Sequence, residues 1–246
     1  IPLYLSHTVV DIHGEERVRG VTVARVDSNL RPIPGTEWDI ECDTLLLSVG
    51  LIPENELTQD VGGELDHVTG GPVVTDEMET STPGIFACGN VVHIHDLVDN
   101  VTREAWTAGE GAARLVAGQQ PGGDTVRTRA GDGIRYVVPH LLHLGNMASR
   151  DVRLFMRATR PAERVRVEAV VGGEVVFSKF ERVVRPAEMV MLTIPAGKVS
   201  LGKMGPNRAG LNKVSPDCAD GGPQPELVVR ITPRDRDSAA EGGEKA

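Results

Sequence analysis

Residues 73–90 read Val-Val-Thr-Asp-Glu-Met-Glu-Thr-Ser-Thr-Pro-Gly-Ile-Phe-Ala-Cys-Gly-Asn, and the way this run closes decides the fold class. Pro83-Gly84 predicts a turn, because proline presets φ and glycine accepts φ > 0. Ile85 to Cys88 is a short apolar run suited to a buried strand covered on both faces. Gly89 lacks the Cβ that would hold a ligand away from the backbone, and Asn90 offers both a donor and an acceptor to a hydroxylated ligand. A glycine and a polar side chain at the carboxyl end of a buried strand mark the place where open α/β sheets bind ligands.

Upstream, Arg17 to Asp27 alternates Val18, Val21, Val23 and Val26 with polar residues, turn residues fill Asp27 to Gly35, and Trp38 to Val49 is largely apolar. This pattern predicts a hairpin followed by a buried strand. Ile1 to Val10 reads as a strand entered in mid-domain. Downstream, Ala105, Ala108, Ala112, Ala113, Leu115 and Val116 fit a small-residue helix ending at Gly118 and packed closely on the sheet. Thr102 as N-cap places Arg103, Glu104 and Ala105 in its first turn; Asp96 or Asp99 as cap slides the register back by one or two turns. The first-turn N–H groups and the positive dipole end favour negative charge on a ligand.

The end of the opening run resembles the pattern Thr-x-x-Pro-Gly-(Ile/Val)-(Phe/Tyr)-Ala-x-Gly-Asp of the two-dinucleotide-binding flavoproteins. These FAD-dependent pyridine-nucleotide oxidoreductases include thioredoxin reductase and the disulfide reductases. The resemblance implies FAD and NAD(P)H as cofactors, with Gly89, Asn90 and Val91 beside the ribityl chain and Arg103, Glu104 and Ala105 at the edge of the flavin. Asn90 stands where the family has Asp, so its bond to a ribityl hydroxyl lacks the charge that strengthens a carboxylate's. Gly50-Leu51-Ile52-Pro53-Glu54-Asn55 is similar to the Gly-x-x-Pro-Asn crossover from the NAD domain to the FAD domain, with Glu54 as an extra residue before Asn55. The variant Gly-Asn-Val-x-His-x-His-Asp-Leu-Val resembles the oxidoreductases that accompany anaerobic glycerol-3-phosphate dehydrogenases, which implies an electron-transfer partner subunit.

Between Asn90 and the helix lie His93, His95 and Asp96. Imidazole and carboxylate are ordinary ligands of zinc or iron, and loop histidines are as often satisfied by backbone groups. The resemblance favours a third reading, a histidine lining the flavin cavity and titrating near neutral pH. His95 is therefore the candidate catalytic residue, and no metal is expected. Neither Gly-x-Gly-x-x-Gly turn that the family needs occurs in the sequence: Gly109-Glu110-Gly111 lies inside the predicted helix, and Gly62-Gly63 and Gly70-Gly71 are turn pairs. The expectation is a C-terminal portion of a longer polypeptide, whose N-terminal half supplies both fingerprints and acts as its partner. Cys42, Cys88 and Cys218 contain no Cys-x-x-Cys, which suits small buried residues and gives no support to a disulfide substrate.

With 246 residues and 40% hydrophobic content the chain can bury two cores. No run approaches the roughly 18 apolar residues of a membrane span. A net charge of −9 argues against nonspecific binding to nucleic acid or anionic membranes, and a cytoplasmic protein is expected. The fold class read from the pattern is α/β, with residues 1–50 as part of an NAD(P)-binding domain and 51–118 as part of an FAD-binding domain. A linker over 119–133, a small all-β sandwich-like domain over 134–232 and a disordered tail over 233–246 follow. Strand-like runs span 134–144, 152–158, 165–171, 174–180, 189–194 and 227–231, with Gly172-Gly173 as a hairpin turn and a long connection over 197–225. His140 and His143 read as core or surface histidines. Arg150, Arg153, Arg157, Arg160, Arg164 and Arg166 read as a solvated sheet face or as a docking surface for an acidic partner. The functional expectation is an enzyme passing electrons between nicotinamide nucleotide, FAD and an acceptor; the alternative is a noncatalytic scaffold that uses its β domain to bind partners.

Overall fold

Alternation in residues 18–26 becomes the central strand of a small sheet in the computed structural model, which describes residues 1–119, 121, 124–199 and 226–233. The chain divides into two units, residues 1–50 and 51–246. In the first, strands β1 (His7–His13), β2 (Gly20–Arg25) and β3 (Trp38–Glu41) pair antiparallel in the order β1-β2-β3. The centre strand alone is well covered: Val21, Val23 and Ala24 are buried. The long strand expected over Trp38–Val49 stops at Glu41, and Leu46, Leu47 and Val49 are exposed. β3 is an edge strand here, and an apolar run is buried as a strand only when a neighbouring layer covers it. The strand expected over Ile1–Val10 begins later, at His7, and runs to His13.

The second unit begins with a short helix α1 (Glu56–Asp60), a 3₁₀ turn (Gly89–Val91) and the long helix α2 (Val98–Val116). It continues through β4 (Thr125–Ala130), β5 (Ile134–Val138), β6 (Leu141–His143), α3 (Leu144–Ser149), β7 (Val152–Ala158), β8 (Ala162–Val171), β9 (Glu174–Val184), β10 (Met189–Ile194) and β11 (Glu226–Pro233). These strands form a three-stranded sheet, β10-β7-β5, and a five-stranded sheet, β6-β4-β11-β8-β9. The two sheets share one apolar core in which Leu142, Leu154, Met156, Val167, Leu192 and Leu227 are fully buried. Alternation places them there: in β10, Val190, Leu192 and Ile194 point inward while Met189, Met191 and Thr193 are only half-buried. Gly172 and Gly173, both at positive φ, turn the chain from β8 to β9 as expected.

The molecule is sheet-rich with few helices, so the α/β part of the expectation is met only loosely: among the described strands the one parallel pair is β4 with β11, and the rest are antiparallel. The expected linker contains β4, whose alternation is carried by Val126 and Thr128 between exposed arginines. The run expected over 134–144 breaks into β5 and β6 around Pro139, because proline has no N–H to give to a ladder. Ile85–Cys88 is not a buried strand: it is half-buried and held by one bridge, Glu79 to Phe86. The bulk of the expected 197–225 connection, the 234–246 part of the expected tail and Cys218 lie outside the described residues. No helix among the described residues is long and apolar enough to cross a membrane.

Candidate functional site

The opening run folds into a tight loop whose backbone is tied to His140, to Leu141 of β6 and to itself. Pro83-Gly84 makes the predicted turn, with Gly84 at φ +81° and the Ile85 N–H donating to Thr82 O at 3.1 Å. The Ala87 N–H donates to Met78 O, and His140 and Leu141 N–H groups both donate to Val74 O. Gly89 follows at φ +73° with an imaginary Cβ only 3.0 Å from Val101 Cγ1, so a side chain here meets both backbone strain and α2. A small apolar cluster of Val74, Met78, Val92, Ala108, Tyr136 and Val138 fixes this loop between α2 and β5. The small-residue face of α2 is needed for that approach: a Cβ on Gly111 would come 2.6 Å from Glu77 O.

Beneath Gly89 lies a buried polar cluster. The Glu104 carboxylate accepts from the Gly89 N–H at 2.8 Å, sits 2.8 Å from His93 Nε2 and lies 3.0 Å from His95 Nε2. The three side chains are at most 4% exposed. Burial alone would raise the Glu104 pKa, but the hydrogen bond from His93 and the nearby His95 imidazole outweigh it and hold the carboxyl down at about 2. His93 is pushed the other way: burial lowers its pKa more than Glu104 raises it. The Cys88 thiol, half-buried and free, is pushed up by burial and then by the Glu104 charge, which leaves it protonated. Cys42 is also half-buried rather than buried.

The predicted site residues separate in this geometry. Gly89, Asn90 and Val91 form the 3₁₀ turn together. Asn90 is exposed, and its Oδ1 accepts from the His95 N–H at 3.1 Å, which leaves the Nδ2 end as the donor facing outward. The expected first turn of α2 is corrected: the helix begins at Val98 with Leu97 at the N-cap position and no side-chain cap. Thr102 is already inside it, its hydroxyl donating to Val98 O, and Asp96 cannot cap because its carboxylate binds Arg157 and the Met189 N–H. Arg103, Glu104 and Ala105 therefore occupy the helix interior, where backbone N–H groups are taken by the helix itself. Arg103 and Ala105 face outward, and Glu104 faces inward. His95 does not line an open cavity; its side chain is fully buried, edge-on to Phe155 and tilted against His93.

Three features were not anticipated from the sequence. Asn55 is buried and clamps the loop, its Nδ2 donating to Gly70 O and Val91 O at 2.9 Å each. Asp76 and Glu77 are buried in a network with His143, Asn146, Arg150 and Arg114. Burial works to raise the Asp76 pKa, but bonding to His143 and Asn146 brings it below the usual carboxylate range. Arg150 and Arg157 of the basic stretch thus reach back to Asp76, Glu77 and Asp96, so for these two residues neither a solvated face nor an external docking role describes the contacts. His140 is a core histidine: its Nδ1 accepts from the Val74 N–H at 3.1 Å, its Nε2 has no hydrogen-bond partner among the described residues, and burial lowers its pKa to about 4.

Sequence comparison places these features in a family context. Residues 1–111 match the family model of the pyridine nucleotide-disulphide oxidoreductases. A ferredoxin–NADP reductase from Parvibaculum lavamentivorans is 36% identical over 84 residues, which is 34% of this chain and 22% of that protein. The chain thus matches about a fifth of the length of this relative. The family match ends inside α2, so the similarity to pyridine nucleotide-disulphide oxidoreductases lies in residues 1–111, and the two sheets that follow stand outside it.

Proposed function

We propose that this chain carries part of the flavin site of an FAD-dependent NAD(P)H oxidoreductase, at the 3₁₀ turn Gly89–Val91 and the amino end of α2. The observation that carries the reading is an uncapped 19-residue helix whose start follows closely on the family-like Gly-Asn turn. Val98 and Asp99 are exposed there, and their N–H groups have no side-chain cap, so they suit a ligand edge that gains negative charge. The outward Nδ2 of Asn90 suits a ribityl hydroxyl. When bound, FAD supplies the chemistry, taking hydride from NAD(P)H and passing electrons to an acceptor.

The remaining work belongs to the chain's own residues. Glu104 holds the Gly89 N–H from below, Asn55 holds Val91 O, and His95 lends its backbone N–H to Asn90 Oδ1, so the turn is fixed from three sides. His95 acts in this reading as a positioning residue. The two dinucleotide pyrophosphates require glycine turns that this sequence does not contain, and another part of the polypeptide supplies them. A protein acceptor, as for the ferredoxin–NADP reductase relative, or a partner subunit of the kind that goes with glycerol-3-phosphate dehydrogenases, takes the electrons.

A polypeptide joining this chain to both glycine fingerprints should purify yellow and bleach anaerobically with NADH or NADPH. Colourless protein, or yellow protein that neither nucleotide bleaches, overturns the reading and leaves the noncatalytic scaffold.

A further inference from the structure

Three metal-ligating groups converge where no ligand has been assigned. One ring nitrogen of His93, one of His95 and a Glu104 oxygen all lie within 4.8 Å of one another, and all three residues are buried. Two imidazoles and one carboxylate are a donor set for borderline divalent ions such as zinc or ferrous iron.

Without an ion the hydrogen bonding in this cluster is incomplete. Glu104 Oε1 is matched by His93 Nε2, and Oε2 by the Gly89 N–H. His95 Nε2 lies 3.0 Å from Oε2, yet it makes no properly directed hydrogen bond, and neither does its Nδ1. His93 Nδ1 is also without a partner among the described residues. A neutral imidazole carries one donor and one acceptor, so the His95 ring has both unsatisfied in a place shut off from water. Leaving a buried polar group unpaired is unfavourable, which makes the cluster a poor hydrogen-bonded triad.

We propose that His93, His95 and Glu104 bind one divalent transition-metal ion of the zinc class, with both Nε2 atoms and the carboxylate as ligands and water in the fourth position. Zinc–nitrogen and zinc–oxygen bonds of about 2.0–2.2 Å set neighbouring ligand atoms roughly 3.3 Å apart in a tetrahedron. The present distances, 2.8 Å from His93 Nε2 to Glu104 Oε1 and 3.0 Å from His95 Nε2 to Glu104 Oε2, are within a few tenths of an ångström of that separation. The charge also suits: one carboxylate with two neutral rings leaves a single positive charge on the occupied site. Phe155 lies 5.7 Å and 5.4 Å from the two imidazoles by ring centroid, giving them a dry wall. Glu104 and Phe155 also line a cleft with Arg103, Thr107 and Met78, so the cluster lies next to a surface opening. The proposal does not depend on the flavin reading, and its test needs no flavin.

The test is cobalt and zinc titration of the 246-residue chain after chelator treatment. Co²⁺ should develop visible d–d absorption saturating at one equivalent, and Zn²⁺ should displace it at one equivalent. In His95→Gln and Glu104→Gln, affinity should fall at least tenfold, while His67→Ala, at a ring that is 93% exposed, should bind as the parent does. No visible band and no stoichiometric zinc uptake by the parent chain overturns the proposal, whatever the variants do. Unchanged binding in a folded His95→Gln or Glu104→Gln also overturns it, because the ion would then sit elsewhere.

Discussion

The two halves of the second unit are stabilised in different ways. In the paired sheets, the interior is made of Val, Leu, Ile and Met side chains set by strand alternation, with each contact replaceable by another apolar group of similar size. Around Gly89 the apolar cluster is small, and the backbone is placed by directional bonds from buried Glu104, Asn55, His140 and Asp76. The first kind of interior supplies stability, and the second supplies position. A region built by directional bonds tolerates change poorly and responds to pH.

The comparison can be broken at several points. The largest effect belongs to the sheet core: Leu154→Ala, at a fully buried position in β7, should lower unfolding free energy by about 2–5 kcal/mol in urea titrations. A loss under about 1 kcal/mol would mean that the shared core is not closed at that layer.

Acid should act first on the directional region. His140 has a folded pKa of about 4 against the ordinary histidine value of 6.5, so the unfolded chain takes up its proton first as pH falls. Its contribution is complete above pH 6.5 and disappears as pH drops to about 4, a loss of roughly 3 kcal/mol. Glu104, with a folded pKa of about 2, adds its loss only below pH 4.5. Unfolding midpoints measured across this range should fall, and His140→Asn, which can accept from the Val74 N–H without titrating, should flatten the upper part of the curve. An unchanged profile in that variant would remove His140 from the account.

Smaller effects distinguish the polar ties from one another. Glu104→Gln keeps the shape but gives up the charge that faces His93, His95 and Gly89, and should cost about 2 kcal/mol. Asn55→Ala removes both of its Nδ2 donations and should cost about 1–2 kcal/mol, with faster amide exchange in the Gly89–Val91 turn. Equal protection of that turn in parent and variant would show that Asn55 does not fix it.

The same contrast governs what could be read from the chain. β7 and β10 run over Val152–Ala158 and Met189–Ile194 as the alternation predicts, because a strand with one buried face writes its period into its own residues. β4 was hidden by threonine and arginine at alternate positions, and the buried strand expected at Ile85–Cys88 failed because apolarity alone does not supply a pairing partner. Helix α2 was visible from its small residues, but its start was not, since Asp96 is claimed by Arg157, 61 positions away. The link between His93 and Glu104 spans only 11 positions, but it joins the loop to the helix and leaves no periodic mark in either. One signal was present: Glu104 precedes buried Ala108 and Gly111 by helical spacing, so it lies on the inward face of α2, and a carboxylate there requires a partner.

The central claim is that Glu104 sets the turn on which flavin binding depends. Flavin content of the holoprotein, measured by absorbance after denaturant release, tests this directly in the parent and in Glu104→Gln. The account predicts that the folded variant retains less than about a tenth of the parent's flavin after dialysis, a tenfold change corresponding to roughly 1.4 kcal/mol. Full retention of flavin in a folded Glu104→Gln protein would contradict it.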